Sequence, residues 1–309
     1  MYKKRNIPYK LVSAVITCCV FTGLALSGPD ISAQSFTFSE IWAYLMSGEE
    51  KTYTPGMPVS DIGYFGAGIS SFGKLADVPD RAKIKGFNGR VHLVVAQVTN
   101  RALNHFCIDP ELPIRNRLID DIAAAAVPYD GVQIDFELIP PEDRENYYSF
   151  LSELKERIGS RILSVAIPAR TRYIKDAYEY ERLAEVADKI LIMAYDEHWS
   201  TSAPGSIASI EWCERITAYA VQKIPPHKLI MGMPFYGRAW ASANPAKAYR
   251  HPTLQRLIEE KEITRISRTN HIPHFTYQET VTVSVYFEDR ISVLKRTEMY
   301  HRKNIRNIG

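Results

Sequence analysis

The sequence predicts an α/β fold, a (β/α)8 TIM barrel with a small α+β insertion after the seventh strand. Three observations carry this. Seven short, β-branched apolar runs recur along the chain, at Ile41–Leu45, Ile62–Ala67, Val91–Val98, Gly131–Glu137, Ile162–Ala169, Ile190–Glu197 and Lys228–Tyr236. Amphipathic segments separate several of them, and strand alternating with helix implies parallel strands joined by crossovers. Polar residues of catalytic type gather at the carboxyl ends of the runs, where barrels of this kind build their sites: Asp135 and Glu137, Arg170, then Tyr195, Asp196 and Glu197, then Tyr236 and Arg238.

Lys3, Lys4, Arg5 and Lys10 precede the apolar stretch Leu11 to Leu26, followed by Gly28-Pro29 and the small residue Ala33. These are the zones of a secretory signal, so residues 1–33 are read as a signal peptide and the chain as exported, periplasmic or extracellular. The alternative is an uncleaved membrane anchor, for which the run is slightly short of the roughly 20 residues a bilayer span needs. Cys18 and Cys19 leave a lipoprotein cysteine as a minor option. Residues 34–309 then form the barrel domain, with Cys107 and Cys213 as its cysteines. Two cysteines permit at most one bridge, so packing must hold the body.

Within that body, Glu142–Ile158 places Tyr147, Phe150, Leu151, Leu154 and Ile158 at helical spacing, and Tyr178–Ala187 and Glu211–Lys223 have similar periodicity. The near-continuous hydrophobic strand Ile190–Ala194 fits a parallel sheet covered on both faces. After the seventh run the texture changes. A helical patch at Leu254–Lys261 and a hairpin of Phe275–Tyr277 with Val281–Phe287 suggest an inserted lobe over about 245–290, before a helix at Ile291–Arg306. The cationic run Lys295–Arg306 reads as the solvated face of that helix.

The chain has 309 residues, 46% hydrophobic and 24% charged, with 38 Lys and Arg against 35 Asp and Glu. The small excess lies in the basic amino end, and the remainder is balanced. Such neutrality removes the electrostatic case for nucleic acid, and for membrane contact beyond the amino-terminal segment. No cofactor and no metal is expected: Asp196-Glu197-His198 is compact, but neighbouring strand residues alternate faces and neither H-E-x-x-H nor a cysteine pair stands nearby. Gly68-Ile69-Ser70-Ser71-Phe72-Gly73-Lys74-Leu75 approaches a phosphate-binding loop, yet Leu75 lacks the metal-binding hydroxyl and Pro79 spoils the following helix. Nucleotide binding is therefore a remote alternative.

The most informative stretch is Asp130-Gly131-Val132-Gln133-Ile134-Asp135-Phe136-Glu137. On a strand, Val132, Ile134 and Phe136 share one face, while Gln133, Asp135 and Glu137 share the other. Two carboxylates facing the same way inside a barrel raise each other's pKa, as does desolvation, and a carboxyl kept protonated serves as a general acid. The alternative is a pair held by basic partners or solvated at a strand end.

This strand resembles the D-x-x-D-x-D-x-E signature of glycoside hydrolase family 18, the chitinase-like barrels, with Asp130, Gln133, Asp135 and Glu137 at its four positions. The resemblance continues in Met193-Ala194-Tyr195-Asp196 and in Met231-Gly232-Met233-Pro234-Phe235-Tyr236-Gly237-Arg238-Ala239-Trp240, similar to the sixth- and seventh-strand motifs, and covers residues 41 to 309. Ile224-Pro225-Pro226-His227-Lys228 and Gln133 look more like the bacterial cell-wall and spore-cortex type.

The resemblance implies hydrolysis of β-1,4 bonds in an N-acetylglucosamine-containing glycan, chitin or peptidoglycan, with the substrate's acetamide as nucleophile. It casts Glu137 as acid and base, Asp135 as the group orienting the acetamide N–H and Tyr195 as donor to its carbonyl. Asp196, Tyr236 and Arg238 become sugar-binding candidates. Trp199 is read as a cleft residue, Trp212 as packing, and His198 as a loop histidine. Gln133, also in the candidate site, cannot share a proton with Asp135 as the family's Asp would. Family members usually end in an eighth strand bearing a Trp, and the chain is expected to stop at Gly309, before that strand, leaving strand edges exposed. A non-catalytic sugar-binding relative is the competing reading. Oligomeric state has no sequence signal.

Overall fold

The computed structural model describes residues 36–242, 244–278 and 282–309; the signal-peptide reading of residues 1–33 lies outside them. In chain order the barrel strands are β1 (Glu40–Met46), β2 (Asp61–Ile69), β4 (Arg90–Gln97), β5 (Gly131–Phe136), β6 (Ile162–Pro168), β7 (Lys189–Met193), β8 (Leu229–Met231) and β14 (Asn307–Ile308), with β3 (Leu75–Ala76) paired outside on β2. All barrel pairings are parallel.

The expected stop before the eighth strand needs correction. Asn307 and Ile308 pair with Glu40 and Ile41 on one side and with Ile230 and Met231 on the other, and β1 pairs with β2, so the ring is closed. The Asn307 side chain reinforces the seam by donating Nδ2 to the Leu229 carbonyl at 2.9 Å. Backbone bonds on either side extend the seam: the Ser39 N–H donates to the Arg306 carbonyl at 2.7 Å and the Gly309 N–H to the Met231 carbonyl at 3.1 Å.

The helices are α1 (Arg101–Ile108), α2 (Pro113–Ala125), α3 (Arg144–Ile158), α4 (Tyr180–Val186), α5 (Ile210–Ala220), α6 (His251–Glu260) and α7 (Arg290–Arg302). Strand alternation sorts β5: Val132, Ile134 and Phe136 point outward into the main core, where Phe136 lies against Tyr147 and Phe150 of α3 at ring distances of 6.4 and 5.7 Å. A smaller cluster of Trp42, Ala166, Leu191 and Ile230 fills the barrel lumen. At roughly 25 cal/mol per Å2 of buried apolar surface, the outer layer of large side chains is the main source of stability.

Charged first residues of the strands close the amino end of the lumen. Arg90 bridges Asp61 and Glu40, both at 2.7 Å, and Lys189 also reaches Glu40 at 2.8 Å. His92, fully buried, meets Asp61 at 2.8 Å and stacks on Trp42. Burial opposes ionisation of Asp61, but hydrogen bonds from His92, Arg90 and Ser60 outweigh it and hold the carboxyl at about 2. Gly131 is needed beside this plug, since a Cβ there would lie 2.4 Å from His92 Nδ1.

A second, antiparallel sheet joins β9 (Tyr236–Ala241), β10 (Asn244–Arg250), β11 (Ser267–Thr269), β12 (Ile272–Gln278) and β13 (Thr282–Phe287) in the order β10-β9-β13-β12-β11. It starts at Tyr236, earlier than 245, because the apolar run after Met231 leaves the barrel and Tyr236–Ala241 pairs within the small sheet instead. α7 is not a uniformly solvated cationic face: Arg296 is completely buried, bonded to Glu288 at 2.9 Å. Gly68–Lys74 forms a tight hairpin into β3, with Ser70 N–H donating to the Lys74 carbonyl, and no helix follows to receive phosphate. Cys107 and Cys213 are both free and buried. Among the described residues no helix is long and apolar enough to cross a membrane, and no group of three or more His, Cys, Asp or Glu could hold a metal ion.

Candidate functional site

The carboxyl ends of β5, β6 and β7 surround a cavity of about 410 Å3. Glu137 follows β5 and lines it, as do Arg170 beyond β6 and Tyr195, Asp196 and Trp199 beyond β7. Tyr195 also borders a larger, mostly apolar hollow of about 780 Å3, whose walls include Trp42, Tyr44, Phe65, Phe235 and Tyr236. The two hollows meet at this tyrosine across the top of the barrel. Gly232 makes room for it: a Cβ there would sit 2.9 Å from the Tyr195 ring and 2.8 Å from the Ile192 carbonyl.

Asp135 is 7% exposed, and its Oδ1 is buried without a hydrogen-bond partner. Burial, then the charge of Glu137, push its carboxyl up to about 7. Glu137 is also raised, by burial and by the charge of Asp196. Burial likewise raises Tyr195, followed by the nearby charges of Asp135, Asp196 and Glu137, so its hydroxyl is a firm donor at neutral pH. Among the described residues no Lys, Arg or His side chain is paired with the Asp135 or Glu137 carboxyl; Arg170 instead pairs with Asp176 at 2.7 Å. The arrangement can therefore hold a proton at neutral pH next to a tyrosine hydroxyl and an open space.

Asp196 sits at φ +59, a conformation costly for a side-chain-bearing residue. Its Oδ1 accepts from Tyr236 Oη at 2.6 Å and from Arg238 Nη2 at 2.7 Å. The three sugar-binding candidates thus form one network, in which the small sheet grips the end of β7. Glu197 steadies the same turn by accepting from the Ser209 N–H at 2.7 Å, at the start of α5. Trp199 stands 53% exposed at the rim, its carbonyl receiving the Trp240 indole N–H at 3.2 Å. Gln133 belongs to the lumen and not to either cavity wall, donating Nε2 to Ser164 Oγ at 3.3 Å.

Trp212 lines the cavity, contrary to the reading that made it packing alone. Its position in the first turn of a helix entered from β7 was the available signal, because such turns face the carboxyl end of a barrel. His198 is a loop residue whose Nδ1 lies 2.8 Å from the Ser206 carbonyl.

Comparison with known proteins gives a consistent picture. Residues 113–308 match the family model for Glycosyl hydrolases family 18. A cortical fragment-lytic enzyme of Bacillus anthracis is 27% identical over 271 residues, covering 80% of this chain and 63% of that one, and its Bacillus subtilis counterpart is 27% identical over 245 residues, 72% of this chain and 56% of that one. The chain thus spans less than two thirds of the length of these curated relatives. Among solved structures, the Bacillus cereus spore cortex-lytic enzyme SleL superposes with a TM-score of 0.79 at 25% identity, over 89% of this chain and 71% of that one. A chitinase from Chromobacterium violaceum shares the fold, with a TM-score of 0.73 at 20% identity, over 87% and 92% of the two chains.

Proposed function

For this chain, which belongs to glycosyl hydrolase family 18, we propose retaining hydrolysis of β-1,4 bonds in an N-acetylglucosamine-containing glycan. Peptidoglycan of the spore-cortex type is the favoured substrate, given the named activities of the Bacillus relatives. The observation that carries the reading is the pair of neighbouring carboxyls, both raised, with Asp135 buried behind Glu137 and Tyr195, which line the cavity at the mouth of the barrel.

In the first step the substrate's acetamide oxygen attacks the anomeric carbon as the glycosidic C–O bond breaks, and the leaving oxygen takes its electron pair and the Glu137 proton. The nucleophile is tethered to the sugar, so no bimolecular encounter is needed, and effective molarity favours the attack. Asp135 accepts the acetamide N–H and offsets the positive charge of the oxazolinium ring, while Tyr195 donates to the acetamide oxygen. Water then gives a proton to the Glu137 carboxylate and adds to the anomeric carbon, opening the ring with configuration retained. Gln133 stays amide throughout, so the proton is shared by Asp135 and Glu137 alone. Asp196, Tyr236, Arg238, Trp199 and Trp212 contribute to the sugar-binding walls.

Purified peptidoglycan and chitooligosaccharides, incubated with the wild type and with Glu137→Gln, test the proposal. Cleavage lost on substitution supports it; binding without cleavage in both proteins would favour a sugar-binding role instead.

A further inference from the structure

The acid of the proposed reaction is followed by an unusual turn. Leu138, directly after Glu137, has φ +61, in the left-handed region that is disfavoured for a residue with a Cβ. Its side chain is 54% exposed, so packing of the leucine itself does not hold the turn. The backbone around it is bound from two other elements. The Tyr178 hydroxyl donates to the Phe136 carbonyl at 2.8 Å and accepts the Ile139 N–H at 3.1 Å, spanning the turn from one side to the other. Asn104, buried in the first turns of α1, donates Nδ2 to the Glu137 carbonyl. The Glu137 N–H is held in turn by the Gln97 carbonyl at 2.9 Å.

We propose that Tyr178 and Asn104 are positioning residues, a two-sided clasp that forces the left-handed turn at Leu138 and so aims the Glu137 carboxyl into the cavity. This rests on the reading of Glu137 as the acid. Neither residue lines the cavity, so each acts through the backbone of Glu137. The clasp is also tied to the cavity wall: Asp176 accepts the Tyr178 N–H at 2.8 Å through Oδ1 and the Arg170 guanidinium at 2.7 Å through Oδ2. A glycan pressing on Arg170 would thus be felt at the turn that carries the acid.

Tyr178→Phe removes one oxygen and keeps the ring against Tyr147. Because small displacements of a catalytic group cost as much as a hundredfold in rate, kcat should fall roughly ten- to a hundredfold with KM within about twofold. The basic limb of the pH–rate profile should move to lower pH as a loosened Glu137 gains solvent. The Ile139 amide, deprived of its acceptor, should exchange with deuterium faster. Adding Leu138→Gly, which adopts the left-handed turn without penalty, should recover part of the lost kcat. Asn104→Asp, isosteric but without the donor, should repeat the kcat loss.

A folded Tyr178→Phe protein with wild-type kcat, an unmoved basic limb, unchanged Ile139 exchange, or no recovery in the double variant would each overturn the clasp. Failure of the underlying reading looks different: the wild type would be inactive, or Glu137→Gln as active as the wild type.

Discussion

Replacing Asp135 by Asn should make the protein more stable, by an amount that grows as pH rises from about 4 to about 7 and then holds. The folded chain holds the Asp135 proton to about 7, whereas an unfolded Asp releases it near 3.9. A carboxyl with a raised folded pKa contributes stability that is fully present below the unfolded value and is lost as pH rises through the folded one. The gap of about three units corresponds to about 4 kcal/mol at full ionisation. Asn is neutral at every pH and avoids that cost. For a chain of this size, with about 2 °C per kcal/mol, Tm of Asp135→Asn should exceed that of the wild type by roughly 8 °C at pH 8.5. The two should nearly coincide at pH 4. Scanning calorimetry across pH 4–9 reads this directly. A constant offset would refute the reasoning, because it would mean that the carboxyl titrates alike in the folded and unfolded states; an advantage confined to acid would refute it too, because it would mean that folding lowers the pKa.

Other expectations follow from the same geometry. Gly232→Ala should lower kcat by at least about tenfold while the protein stays folded, since the added methyl has to displace Tyr195 or the Ile192 carbonyl; steady-state kinetics with circular dichroism checks it. Asp61→Asn should cost about 3–5 kcal/mol in urea unfolding at pH 7, because it strips the carboxylate from Arg90 and buried His92. As Asp61 is held at about 2, its contribution is present above the ordinary Asp value and fades as pH falls through 2, so the variant and the wild type should converge in strong acid. In Glu137→Gln the Asp135 resonance followed by carboxyl NMR should titrate below 7, since its neighbour's charge is gone, but above the ordinary value, since burial remains.

Much of this site was legible in the sequence because strand alternation is rigid. Once Gly131–Glu137 is read as a parallel strand, Asp135 and Glu137 must share a face, and the order of the polar strand ends places Tyr195 and Asp196 nearby. Longer-range features were harder to read. The eighth strand is two residues, too short for any hydrophobic period, and only its pairing with β1 and β8 reveals it. The seventh run reads as one barrel strand as far as Tyr236, but the barrel strand is Leu229–Met231, because apolar runs do not say which sheet they join; antiparallel pairing of Tyr236–Ala241 with β10 and β13 decided that. Arg296 lay inside a cationic run, and its burial depends on Glu288 and the Ala208 carbonyl meeting it in space. The clasp at Leu138 joins three separate segments, and no local pattern announces a leucine at positive φ.

The stereochemistry of cleavage bears most directly on the proposed chemistry. Proton NMR in the first minutes after mixing enzyme with an N-acetylglucosamine oligomer reports the anomer formed before mutarotation. The β-anomer should appear first, because two successive displacements at the same carbon, by the acetamide and then by water, restore the starting configuration. Initial release of the α-anomer would mean direct attack by water, and the roles given to Asp135, Glu137 and Tyr195 would have to be abandoned.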